Sequence, residues 1–273
     1  MSVLLLAIDE VGPGMRVALE RARALADVAA AELHVLLVVS PSLGSSGVRP
    51  TPLVELFNAE RELRRELRGL MSESLGAGAL RVCSGDFARE VSAAVSRDRA
   101  HLVVLADGPL AARRAAGIAR HTRVSVLVAR RERPSGAVVG ATDLERRRYP
   151  EIRCASELSG WLKAPLVVLH SLPGSRPALV EGDPERAVAE DVFAVTTCRE
   201  LLEQVVGDVA PSADVLVARS EHPLDAILET ERRYQCDLLV VGTRVGGPTF
   251  VEPCLAEHVV RQAASSVLVT PVD

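Results

Sequence analysis

The sequence predicts an α/β protein made of two tandem copies of one unit, each a mostly parallel sheet sandwiched by helices. Three observations lead there. Short runs rich in Val and Leu alternate with longer stretches of helical period. The runs are continuously apolar instead of alternating, as expected of strands covered on both faces. Four segments of the first half recur in the same order in the second half.

The repeats take the elements in order. "VLLLAID" (Val3 to Asp9) pairs with "AVVGATD" (Ala137 to Asp143), and "HVLLVVSP" (His34 to Pro41) with "LVVLHSLP" (Leu166 to Pro173). "SGDFAREVSAAVSRDRAHLVVLADG" from Ser84 pairs with "RSEHPLDAILETERRYQCDLLVVGTR" from Arg219, and "SVLVA" from Ser125 with "SVLVT" from Ser266. The offsets run from about 132 to 141 residues, so order is kept with small insertions, the mark of a duplicated domain. The boundary falls in "RRERPSG", giving units 1–132 and 137–273 around a linker at 130–136.

Helix starts follow from local chemistry. Pro13 and Pro150 suit a first helical turn, Asp86 can cap a helix at Phe87, and Pro223 follows His222. Two longer amphipathic helices, about Leu53 to Leu75 and Ala187 to Val206, cross between the second and third strands of their copies. Beside them "PSLGSSGVRPTP" and "PGSRPALVEGDP" read as exposed, mobile loops.

Composition excludes several classes. At 273 residues, 48% hydrophobic and 25% charged, the chain can build a full core, yet no apolar run approaches the roughly 20 residues of a membrane span. The start lacks a basic n-region, and Asp9 and Glu10 close its apolar stretch early, so no signal peptide is expected. Net charge −4 with 3% aromatics offers neither a basic face nor a stacking platform for nucleic acid. Five dispersed cysteines without C-x-x-C read as reduced thiols of a cytoplasmic protein; Cys83 and Cys254, at loop edges, are the candidate oxidant sensors. The six histidines show no metal-ligand spacing. There is no G-x-S-x-G elbow, and the single lysine, Lys163, supplies no Walker A. Arg146, Arg147 and Arg148 are either an anion attractant or a solvated run.

The strand-terminal acids in "AID" and "ATD", the turns "SGDFAREVSAAV" and "SEHPLDAIL", and "CDLLVVGTR" with a final "SSVLVT" resemble the universal stress protein (UspA) family in its tandem form, over nearly the whole chain, twice. The resemblance implies five strands per copy and the adenine nucleotide alpha hydrolase-like plan. It also implies pairing through the last strands, here an intrachain pseudo-dimer through "SVLVA" and "SVLVT", with a further homodimer left open. Many members bind ATP through Gly-x2-Gly-x9-Gly-Ser/Thr after the fourth strand, where glycines let backbone amides approach phosphates.

In the second copy Gly242 matches the first glycine, Val245 stands at the second with Gly246 and Gly247 following, and Pro253 and Cys254 replace the last pair. Thr243 adds a hydroxyl beside this degenerate nest; turn glycines are the alternative reading. The first copy keeps Gly108 and Gly117 without the spacing, and Leu110, Arg113 and Arg114 are expected to fill its cleft. Asp9 and Asp143 end first strands, at the carboxyl edge where open α/β sheets bind ligands, and the resemblance implies contact with an adenosine moiety; a turn or cap acid is the alternative. The function implied is a non-catalytic stress-response protein acting through protein partners, with no required cofactor and weak ATP binding in the second copy. The alternative is a slow ATPase or nucleotidyl transferase on the same plan.

Overall fold

The computed structural model describes residues 2–39, 52–70, 80–130, 136–145, 148–174, 184–245 and 254–272. Gly246, Gly247, Pro253, Arg146 and Arg147, and all but the ends of the two loops expected to be exposed, Pro41–Pro52 and Pro173–Pro184, lie outside the described residues. The chain divides into two compact units, Met1–Arg131 and Glu132–Asp273.

In the first unit β1 (Val3–Ile8) leads to α1 (Pro13–Ala29), β2 (Glu32–Val39), α2 (Pro52–Leu70) and β3 (Leu80–Ser84). Then follow α3 (Phe87–Asp98), β4 (Ala100–Ala106), α4 (Ala111–Thr122) and β5 (Ser125–Ala129). The strand order is β3-β2-β1-β4-β5, every pair parallel. All six residues of β1 are buried, which is why its run is continuously apolar: helices cover both faces of a central parallel strand.

The second unit repeats this plan. β6 (Val138–Thr142), α5 (Pro150–Leu162), β7 (Leu166–Pro173), α6 (Pro184–Val209) and β8 (Asp214–Ser220) come first. They are followed by α7 (Pro223–Arg233), β9 (Leu238–Arg244), α8 (Leu255–Gln262) and β10 (Ser266–Val272). Within the unit the order is β8-β7-β6-β9-β10, again parallel. The first and fourth strands pair in both units, with Leu4 opposite Leu102 and Val139 opposite Leu239.

The helix starts fall where capping chemistry puts them. Pro13, Pro150 and Pro223 open α1, α5 and α7, where a missing N–H costs nothing, and the Asp86 carboxylate accepts the Arg89 N–H at 2.9 Å. The long crossover helix α6 begins at Pro184, three residues earlier than its apolar period suggests, since proline again suits the first turn. Of the two cysteines considered as sensors, Cys83 lies in β3, where burial and the neighbouring Glu90 raise its pKa and disfavour the reactive thiolate. Cys254 caps α8. Cys236 is fully buried and pushed up to about 12 by that burial.

A charge cluster anchors the amino edge of the first sheet. The Asp98 side chain, 6% exposed, takes hydrogen bonds from Arg81 (Nη1 to Oδ1, 2.9 Å) and lies 3.3 Å from His34 Nδ1. Burial by itself would raise the Asp98 pKa, but the bonds from Arg81 and His34 outweigh it and hold the carboxyl at about 2. A folded-state pKa below the unfolded one contributes stability that is present above about pH 4 and disappears as pH falls toward 2. Asp98→Asn is therefore expected to lose about 2 kcal/mol at neutral pH, and its urea midpoint to vary less than the parent's between about pH 5 and 2. Equal midpoints for the two proteins at pH 7 would contradict the assignment.

Candidate functional site

Strand order reverses between β1 and β4 in the first unit, since β2 and β3 extend to one side and β5 to the other. At such a switch point the connections leave in opposite directions and open a crevice at the carboxyl ends. After β1 the chain runs through Asp9 and Glu10 to the start of α1; after β4 it runs through Asp107 and Gly108 to α4. Between these turns is a cavity of about 330 Å³, at the small end of the roughly 300 to 1,000 Å³ typical of ligand sites. Ala7, Met15, Phe87, Leu105 and Ala106 give it apolar walls, and Asp9, Glu10, Asp107 and Arg114 supply its charges.

Asp9, Asp107 and Arg114 are each held in an ion pair. Arg114, in the first turn of α4, donates Nη1 to Asp9 Oδ2, and its guanidinium carbon stands 4.1 Å from the centroid of the Phe87 ring. Arg130, just past β5, grips Asp107 with both prongs, Nε to Oδ2 and Nη2 to Oδ1, each at 3.0 Å. The Asp107 Oδ1 also accepts the N–H of Gly108 at 3.0 Å. Gly14 at the start of α1 lies against the β4 turn, and a Cβ there would make an ordinary contact 3.4 Å from the Asp107 carbonyl oxygen.

This corrects the expectation that the first cleft is filled. Arg114 is drawn to one wall by Asp9 and Phe87, Arg113 is exposed, and Leu110 stands at the rim 54% exposed, so the space between β1 and β4 stays open. Asp9 sits on this cavity, as its strand-end position suggests, but it is paired with Arg114.

The equivalent edge of the second unit holds the other site candidates. Asp143 follows β6 and accepts the Glu145 N–H at 3.0 Å, closing a turn around Leu144 at φ 60°. Gly242 lies inside β9, where a Cβ would come 3.0 Å from Val272 Cγ1, so a side chain there would press on Val272 of β10. Thr243 is 3% exposed, with its hydroxyl 3.9 Å from Cys254 Sγ. Arg244 reaches Glu145 at 2.7 Å, an acid and arginine pair across the β6 and β9 turns. Beneath, Thr142 donates to buried Glu151 at 2.5 Å, and His170 Nδ1 lies 2.9 Å from the Thr142 carbonyl. The structure thus brings Asp143, Gly242 and Thr243 to one sheet edge but turns the Thr243 side chain inward.

Sequence reasoning missed the Phe87 ring, Gly14, Asp107 and Arg130. Only "DEVGPG" after β1 carried a signal, since glycines next to a strand end mark close backbone approach. Among the described residues no group of three or more His, Cys, Asp or Glu is placed to hold a metal ion. No described helix is long and apolar enough to cross a membrane.

Comparison with known proteins agrees with this architecture. A functionally unknown protein of Pseudomonas aeruginosa PAO1 is 21% identical, with TM-score 0.64 over 100% of this chain and 93% of its own. A universal stress protein of Archaeoglobus fulgidus DSM 4304 is 15% identical, with TM-score 0.63 over 98% of each chain. At these identities the likeness is one of fold. No curated protein sequence matches. Residues 137–271, nearly the whole second unit, match the universal stress protein family, and this unit belongs to that family.

Proposed function

We propose that the chain is a non-catalytic stress-response protein that works through protein partners, and that a small ligand seated in the first unit modulates it. The observation that carries the ligand reading is the cavity of about 330 Å³ at the switch point between β1 and β4. Among the described residues its lining offers carboxylates, one guanidinium and apolar walls and no thiol, hydroxyl, imidazole or amine, which supports binding over covalent chemistry. The second unit is the weaker ligand candidate, because Gly242 is taken up by packing against Val272 and the Thr243 hydroxyl is buried.

The test is the melting temperature of the intact chain with ATP, AMP or adenosine. A ligand at about 100 times its dissociation constant adds about 2.7 kcal/mol, a rise of several degrees for a protein of this size. The reading expects such a rise with at least one of the three and an unchanged ligand recovered afterwards. Catalytic release of phosphate from ATP would favour the enzymatic alternative, and no rise with any of them at millimolar concentration would remove the ligand.

A further inference from the structure

We propose that copies of this chain associate by laying the outward face of α2 of one protomer along the outward face of α6 of its partner, the two helices running parallel. This surface is separate from the cavity between β1 and β4 and needs no ligand there.

The two helices are counterparts, each crossing from the second to the third strand of its unit. Leu63 in α2 and Leu202 in α6 are both fully buried and set the register between them, at an offset inside the range of the other repeats. In that register Val54 corresponds to Phe193, Phe57 to Thr196, Asn58 to Thr197, Arg61 to Glu200 and Arg64 to Glu203. The positions recur every three or four residues, so they form one stripe on each helix, on the side away from the leucine. All of these residues are exposed.

The stripes begin alike and go on with opposite charge. Phe57 is 65% exposed and Phe193 72%, with Val54 and Val192 exposed beside them, which gives each helix an apolar end facing outward. Further along, the α2 stripe carries Arg61 and Arg64 where the α6 stripe carries Glu200 and Glu203. Glu60 and Glu62 flank the α2 stripe and Arg199 flanks that of α6. Glu60 holds Arg64 at 2.6 Å, an exposed pair of small energy. Arg61, Glu200 and Glu203 have no ion-pair partner among the described residues.

Charge decides which faces meet. A helix meeting its own kind sets like charges together when parallel, and charge against the apolar end when antiparallel. Only α2 beside α6, in parallel, matches both parts: the apolar ends lie level, Arg61 faces Glu200 and Arg64 faces Glu203. The contact joins unlike patches and is heterologous. One helix on another is at the small end of specific interfaces, so the expected dissociation constant is about 10 to 100 μM. The ion pairs face solvent, so salt weakens it.

The experiment is sedimentation equilibrium of the intact chain between about 1 and 300 μM, at about 0.05 and 0.5 M salt. The average mass is expected to rise with concentration at low salt, with a dissociation constant at least fivefold higher at high salt. Arg61→Glu with Arg64→Glu in one variant, and Glu200→Arg with Glu203→Arg in another, should each weaken self-association at least tenfold, since like charges then face each other. An equimolar mixture of the two variants should restore it, because each offers the other an opposite stripe. That recovery also shows that both variants are folded. A mass independent of concentration for the parent at low salt would overturn the proposal. So would association that survives in either variant, or a mixture that associates no better than its components. None of these outcomes bears on the ligand reading.

Discussion

Glu231→Ala is expected to destabilise the second unit by about 3 to 5 kcal/mol, read as a lower urea midpoint at unchanged slope. Glu231 lies in α7 and is 3% exposed. Its Oε1 accepts the Ala264 N–H at 2.7 Å, the Ser265 N–H at 2.6 Å and the Ser265 hydroxyl at 2.7 Å. These bonds tie α7 to the turn that launches β10, and Ser265 itself is fully buried. Bonds to a charged acceptor contribute about 1.5 to 3 kcal/mol each, although three on one oxygen do not add fully. Truncation also removes this acceptor from the Ser265 N–H in a place water does not reach, which is the larger part of the loss. Glu231→Gln keeps an acceptor oxygen at the same reach and should lose roughly half as much. An alanine variant within about 1 kcal/mol of the parent would show that the turn relaxes and finds other partners.

Gly140→Val is the second large effect, about 3 kcal/mol of destabilisation from overpacking. Gly140 stands in the middle of β6, and a Cβ there would lie 2.9 Å from the Cβ of Ala155 on α5, closer than two such carbons approach. Two small residues let this helix lie down on its strand, and a valine adds a Cβ and two branches at that contact. The conflict has a second side that can be relieved. Ala155→Gly alone costs about 1 kcal/mol as a helix-interior glycine, but combined with Gly140→Val it should recover part of the loss, a coupling of at least 1 kcal/mol in a double-mutant cycle. Simple additivity of the two substitutions would mean that α5 shifts away as a body and that the close approach carries no energetic weight.

Much of the fold was legible because its causes are local. The continuous apolar runs at Val3, Val138 and Leu238 mark strands covered on both faces. Pro13, Pro150, Pro223 and the Asp86 cap mark helix starts within a residue or two of the chain. The carboxyl-edge position of Asp9 and Asp143 follows from the same strand ends. The site was legible only in outline. Gly242 reads in sequence as a phosphate-loop glycine, while in the structure a Cβ there would press on the side chain of Val272. Thr243 reads as an available hydroxyl and is buried. Arg114 reads as a bulky obstruction, yet Asp9 and Phe87 hold it aside and leave a cavity.

By itself, then, the sequence determined the duplication, the order of strands and helices and the edge at which a ligand would sit, since periodicity, capping and repeat spacing act over a turn or a strand. Tertiary structure alone decided which acid meets which arginine. Asp9 and Arg114 are 105 residues apart, and Glu145 and Arg244 are 99 apart. Nothing in either local pattern favours one partner over the chain's other charges. Parallel strands set side by side bring the first and fourth strand ends of each unit to one edge, and at that distance the electrostatic pairing settles which groups remain for a ligand.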